Sequence, residues 1–97
     1  MISHQFLQSE RFSPAARVVR PTGALTVTAM AELRRWVSTC LSEGVRRIVV
    51  DLSEVTSISD SAAAGLVVCA RAARAAHGVL LVTPGGLSDE ALLRRRQ

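Results

Sequence analysis

Residues 45–62 read VRRIVVDLSEVTSISDSA, from Val45 to Ala62. Three textures follow one another in these residues. Val45–Leu52 has Ile48-Val49-Val50 at its heart, a β-branched run with no polar alternation, which predicts a strand buried on both faces. Asp51-Leu52-Ser53 closes it, and the Ser/Thr-rich stretch Glu54–Ser59 reads as a loop. Asp60-Ser61 then opens a helix that the following alanines favour strongly, running to about His77. Leu66, Ala70 and Ala73 share one face of that helix, while Arg71 and Arg74 lie three apart on another. Gly78 is read as its terminator, and Val79–Thr83 as a second buried strand. A strand, a loop, a helix and another strand make a parallel α/β unit with a helical crossover.

Upstream, the same alternation continues. From Thr28 to about Glu43, Met30, Leu33, Val37, Cys40 and Leu41 recur at steps of three and four and mark one apolar helix face, with Trp36 close to it. Thr28 is read as the N-cap and Gly44 as the residue just past the end. Before it, Ala24–Val27 reads as a short extended piece, preceded by Pro21 and Gly23 as punctuation. Residues 1–20 read as weak extended structure. Phe6 and Phe12 flank a polar turn there, and Val18-Val19 lies within Arg17–Arg20. These pieces are expected to add one or two edge strands. Downstream, Pro84-Gly85-Gly86 reads as a turn, and Ser88-Asp89-Glu90 as the cap of a last short helix, Ala91–Arg96. The fold class expected is α/β, a mixed, mostly parallel β-sheet covered by helices. With 97 residues and no internal repeat or linker, residues 1–97 are read as one domain.

Composition narrows the function. Hydrophobic residues are 48% of the chain but aromatics only 3%, so the core must be aliphatic. The net charge of +4 comes from arginine, spread as Arg34/Arg35, Arg46/Arg47, Arg71/Arg74 and the run Arg94–Arg96. That spread, without the aromatic platforms on which single-strand binders stack bases, argues against direct nucleic-acid binding and for solvated helix faces. The N-terminus lacks the apolar core of a secretory signal, and no stretch approaches the ~20 apolar residues of a membrane span. The expected location is therefore cytoplasmic, with no membrane association. In that compartment Cys40 and Cys69, both at apolar helix positions, are expected as reduced, buried thiols.

The chemistry concentrates between Asp51 and Ser61, where hydroxyls (Ser53, Thr56, Ser57, Ser59, Ser61) and carboxylates (Asp51, Glu54, Asp60) lie at the carboxyl end of a strand. Ser61 is the sharpest candidate. The first turn of a helix has unpaired N–H groups and a partial positive charge, so a phosphate there is tolerated. It would add about −1.5 to −2 charges to a surface that a partner needs uncharged. On residue chemistry the alternative stands beside it: Asp60 or Ser61 is simply the N-cap, contributing ~1 kcal/mol. Catalysis has no support. His77 lies at the far end of the Ser61 helix, ~24 Å away at 1.5 Å per residue, and His4 sits near the N-terminus. Phosphate-loop and dinucleotide glycine patterns are missing, and Cys and His do not cluster, so neither cofactor nor metal is expected.

Taken in order, three blocks resemble the STAS family, in particular its anti-sigma factor antagonists: Pro21-Thr22-Gly23-Ala24-Leu25 before a helix, Arg47–Thr56 with its Asp-Leu-Ser, and Asp60-Ser61-Ala62. The resemblance spans about residues 17–83. It implies a STAS-like single domain that is not an enzyme and that acts in transcription regulation. Its partner would be an anti-sigma factor that is also a serine kinase. By the same resemblance Ser61 is the phosphorylated serine, and Asp60, Ser61, Ser59, Ser57 and Thr26 form the partner-binding surface. A homodimer is left open. A second implied role is a STAS-like interaction module of a transporter or signalling scaffold, without phosphorylation. The chain departs from the family in four places. Ala24 and Thr26 stand where acidic residues are usual. The loop is one residue longer, so register counted from Asp51 puts Asp60 at the acceptor position, whereas register counted from the helix and Gly78 puts Ser61 there. Ala63 replaces a glycine. The C-terminus stops where the family adds another strand and helix, as in a truncated or divergent member.

Overall fold

The computed structural model describes residues 7–13 and 15–84. The expected final helix, Ala91–Arg96, and Phe6 lie outside these residues, as does most of the Pro84-Gly85-Gly86 turn. The elements run β1 (Leu7–Ser13), β2 (Ala16–Pro21), β3 (Gly23–Leu25), α1 (Val27–Ser42), β4 (Arg47–Asp51), β5 (Val55–Ile58), α2 (Asp60–Ala75) and β6 (Val79–Thr83). The main sheet has the order β1-β2-β4-β6. β1 pairs antiparallel with β2, and β2, β4 and β6 are mutually parallel. The expected mixed, mostly parallel sheet is therefore present, with helical crossovers between its parallel strands.

Two features differ from the sequence reading. The extended piece read before α1 is present as β3, but it does not join the main sheet. β2 occupies the main sheet, and Gly23–Leu25 leaves it to pair in parallel with Val55–Ile58 as a separate two-stranded ribbon. Consequently Glu54–Ser59, read as a loop, contains a strand. Its Thr, Ser and Ile side chains are exposed, so no apolar alternation marks it. Gly23 allows the departure: its φ of 84° is a left-handed conformation that side-chain-bearing residues adopt only at a cost.

Both helices seat the predicted apolar faces on the sheet. Met30, Leu33, Val37 and Cys40 of α1 and Ala62, Leu66, Cys69 and Ala73 of α2 are buried, and they pack with Val19, Ile48, Val50 and Leu80 in one core. Leu41 and Trp36 flank it, half-buried. Ala70, assigned to the buried face of α2, is also half-buried rather than central. Val49 looks to the other face of the sheet, in register with Val18 and Leu81, and is half-buried. Cys40 and Cys69 are free, buried thiols, and burial pushes both up from the ordinary thiol range.

The helix ends follow common solutions. α1 closes with Gly44 at φ 92°, its N–H donating to the Leu41 carbonyl at 3.1 Å while the Val45 N–H reaches Cys40 at 3.0 Å. This is the six-to-one, five-to-two pattern that satisfies the last carbonyls. α2 ends in the same way, but His77, not Gly78, takes the left-handed position at φ 64°. The Gly78 N–H donates to the Ala73 carbonyl at 2.8 Å. Gly78 is required for space: a Cβ there would lie 2.6 Å from the Arg46 carbonyl oxygen.

Candidate functional site

The ribbon determines where the two helices begin. Leu25 pairs with Ile58, and the Ser59 N–H donates to the Leu25 carbonyl at 3.3 Å. The next residue on each strand is an N-cap. Thr26, with extended φ and ψ of −90° and 177°, accepts a hydrogen bond at Oγ1 from the Ala29 N–H at 3.1 Å. Ser59, at −75° and 159°, accepts one at Oγ from the Ala62 N–H, also at 3.1 Å. Thr28 and Asp60 or Ser61, read as the caps, are thus not the caps. Each true cap lies upstream, and Thr28 and Ser61 both occupy the second helical position. The ribbon holds two N-terminal helix dipoles side by side, and their partial positive charges add.

Ser57, Ser59, Asp60, Ser61 and Thr26 all gather at this end, and all are exposed. Ser61 Oγ lies 3.3 Å from Ser59 Oγ, so the two hydroxyls share one hydrogen bond in either direction. Asp60 is the acidic residue in the first turn of α2, where a carboxylate is favoured by the dipole; the first turn of α1 has none. Two residues at this end were not singled out from the sequence. Val27 is 63% exposed and Ile58 41% exposed, giving the polar cluster apolar neighbours. The available signal was their place directly beside the cap hydroxyls, a β-branched side chain where solvent-facing polar residues are the rule.

Asp51 anchors the segment that leads into this end. Its carboxylate accepts from Arg20 Nε at 3.0 Å and from the Ser53 N–H at 2.9 Å, and Thr83 Oγ1 approaches at 3.5 Å. Burial alone would raise the Asp51 pKa. The hydrogen bonds from Ser53 and the Arg20 guanidinium outweigh it and hold the carboxyl below its ordinary value. Asp51 is therefore a charged structural anchor at the exit of β4. Leu52 N–H, donating to Thr83 at 2.9 Å, and Val55 N–H, donating to Leu52 at 3.0 Å, complete the turn into β5.

Among the described residues no group of three or more His, Cys, Asp or Glu side chains could hold a metal ion. Within the same residues no helix is long and apolar enough to cross a membrane. His77 sits past the far end of α2, remote from Ser61; His4 is outside the described residues. The site is an exposed surface of hydroxyls, one carboxylate and two aliphatic side chains.

A parallel α/β sheet with two helices starting together at such a surface defines a small STAS-type domain. The family model described as "Mlab, STAS domain" matches residues 9–92, and the chain belongs to that family. Solved structures agree on the fold. The anti-sigma factor antagonist SpoIIAA in its unphosphorylated form superposes with a TM-score of 0.71 at 20% identity, covering 93% of this chain and 79% of that one. The Bacillus cell fate determinant SpoIIAA in the phosphorylated form gives 0.72 at 19%, covering 94% and 99%. Mglu gives 0.71 at 18%, covering 84% of this chain and 20% of that one. No curated protein matches the sequence significantly.

Proposed function

We propose that this domain is an anti-sigma factor antagonist whose docking to an anti-sigma factor kinase is switched by phosphorylation of Ser61. The observation that carries the reading is the Ser61 hydroxyl. It is exposed, in the first turn of α2, at the point where two helix N-termini are held together. A phosphate there adds about −1.5 to −2 charges. The local dipoles tolerate that charge, so the domain stays folded while the docking surface becomes strongly negative. Val27 and Ile58 supply the apolar contact that a partner covers, and Asp60, Ser59, Ser57 and Thr26 supply the polar rim. Solved SpoIIAA structures are described in both unphosphorylated and phosphorylated forms, which supports a fold that accommodates the change. The protein acts by binding, in the cytoplasm, and regulates transcription through its partner.

The test is intact-mass measurement of the protein purified from its native cell, with Ser61→Ala in parallel. One added phosphate on the wild type and none on Ser61→Ala is the expected result. A Ser61→Ala protein that still carries one phosphate sinks the assignment.

A second reading needs no more than the family match gives, a STAS domain. In this reading the same surface is a permanent docking module of a transporter or signalling scaffold. It predicts that Ser61→Asp leaves partner affinity unchanged, whereas the phospho-switch predicts a loss of at least about tenfold, or about 1.4 kcal/mol.

A further inference from the structure

A second surface runs along the helices, away from the hydroxyl end. Met30 lies against Gly65 near the starts of α1 and α2, and Leu41 and Ala72 line a common groove nearer their ends. The two helices therefore run side by side in the same direction. The groove between them has a volume of about 470 Å³. Its floor is apolar, formed by Val37, Leu41, Val68 and Ala72, and its α1 wall carries Arg34 and Arg35. Val68 is 48% exposed and its neighbour Val67 51% exposed. These are large aliphatic groups on a helix face where solvated polar residues are the rule.

The charge of the groove is one-signed. No acidic side chain lines it. Among the described residues Arg34 and Arg35 make no ion pair. Arg71, one turn beyond Val67 and Val68 on α2, is a further exposed cation that does not itself line the groove. A cleft between two parallel helices has the shape that seats a third helix, with side chains three and four apart entering it.

We infer that the α1–α2 groove is a docking site for an acidic amphipathic helix of a partner protein, with aliphatic side chains on the floor and Asp or Glu facing Arg34 and Arg35. The surface is separate from the Ser61 end, so a partner can hold the groove whichever charge Ser61 carries.

The test uses the full chain against a displayed library of helical peptides. Leu is fixed at positions i, i+3, i+4 and i+7, and the other positions are drawn from Glu, Lys, Gln and Ala. Net-acidic peptides are the expected survivors. Their affinity falls at least about tenfold against Val68→Asp and against the double substitution Arg34→Glu, Arg35→Glu. A Glu-to-Lys version of the best peptide regains binding to that double variant. Ser61→Asp leaves the affinity unchanged, which separates this site from the phospho-switch. Circular dichroism of each variant checks folding, and the Lys-peptide rescue reads correctly only on a folded protein. The inference is overturned if the survivors are neutral or basic, or if the groove substitutions leave binding unchanged. It is also overturned if sedimentation shows a dimer that Val68→Asp dissociates, since the occupant is then a second copy. Val68-dependent binding to vesicles of an anionic phospholipid overturns it too, because the groove then faces a membrane.

Discussion

The two helices of this domain begin alike and differ in what they offer. α1 opens Thr26-Val27-Thr28, and α2 opens Ser59-Asp60-Ser61. In both, a hydroxyl caps the first turn, and a second hydroxyl stands two residues on. In α1 the residue between them is an exposed valine. In α2 it is a carboxylate, and the two hydroxyls lie within hydrogen-bonding distance of each other. The same local geometry thus yields an apolar start beside a charged, hydrogen-bonded one. Cap geometry alone does not make a site; the identity of the residue inside the cap does.

That contrast can be broken by prising the two starts apart. A Cβ on Gly65 would lie 2.6 Å from Met30 Cγ, so Gly65→Val forces a branched side chain into the contact between the helices. A loss of about 2 kcal/mol is expected, read as a lower urea midpoint. A smaller change loosens the strand ends that feed both helices. Asp51→Asn removes the charge that holds Arg20 at the end of β2 and weakens the turn at Ser53 at the exit of β4. About 1 kcal/mol is expected, discounted because Arg20 is about one-third exposed. The folded pKa of Asp51 is depressed, so its contribution is present above the ordinary carboxylate pKa and is lost as pH falls through the folded value. Urea midpoints measured from neutral pH down into the acid range should fall less steeply for Asp51→Asn than for the wild type.

Removing the caps tests the symmetry directly. Ser59→Ala and Thr26→Ala should each cost about 1 kcal/mol in thermal or urea unfolding. Equal costs would show that the two starts are equivalent structurally and differ only in what they present. The smallest effect sharpens the comparison most. Ser61→Ala and Thr28→Ala are expected to shift stability by less than about 0.5 kcal/mol. If the Ser61 hydroxyl serves a partner and not the fold, then partner binding or phosphate content responds to Ser61→Ala and ignores Thr28→Ala.

The sequence was most informative where a pattern repeats. The 3.6-residue spacing of Met30, Leu33, Val37 and Cys40, and the aliphatic run Ile48-Val49-Val50, placed α1 and the central strand. It was least informative in the short ribbon. Three residues of β3 and four exposed residues of β5 have no periodicity, and only their mutual pairing makes them strands. The capping error had one cause at both helices. Thr28 and Ser61 are the last hydroxyls before the helical pattern, but the caps are set by the ribbon, two residues earlier. Ser57, Ser59, Asp60 and Ser61 were nevertheless legible as a group from their place at a strand-to-helix junction, whereas Thr26 joined them only through the family resemblance. The apolar members of the same end, Val27 and Ile58, were missed: their place beside the cap hydroxyls is visible locally, but their exposure depends on packing.

The ribbon also has a consequence in time. Its two strands are about 30 residues apart in the chain, with α1 and β4 between them, and loop closure over such a distance has to be offset by contacts already made. Gly23–Leu25 and Val55–Ile58 add little buried surface of their own. Closure of the ribbon is therefore expected to follow formation of the sheet and helices. An incompletely folded chain would show helices and a core before it shows a docking end, and the surface meant for a partner would be the last part of the molecule to exist.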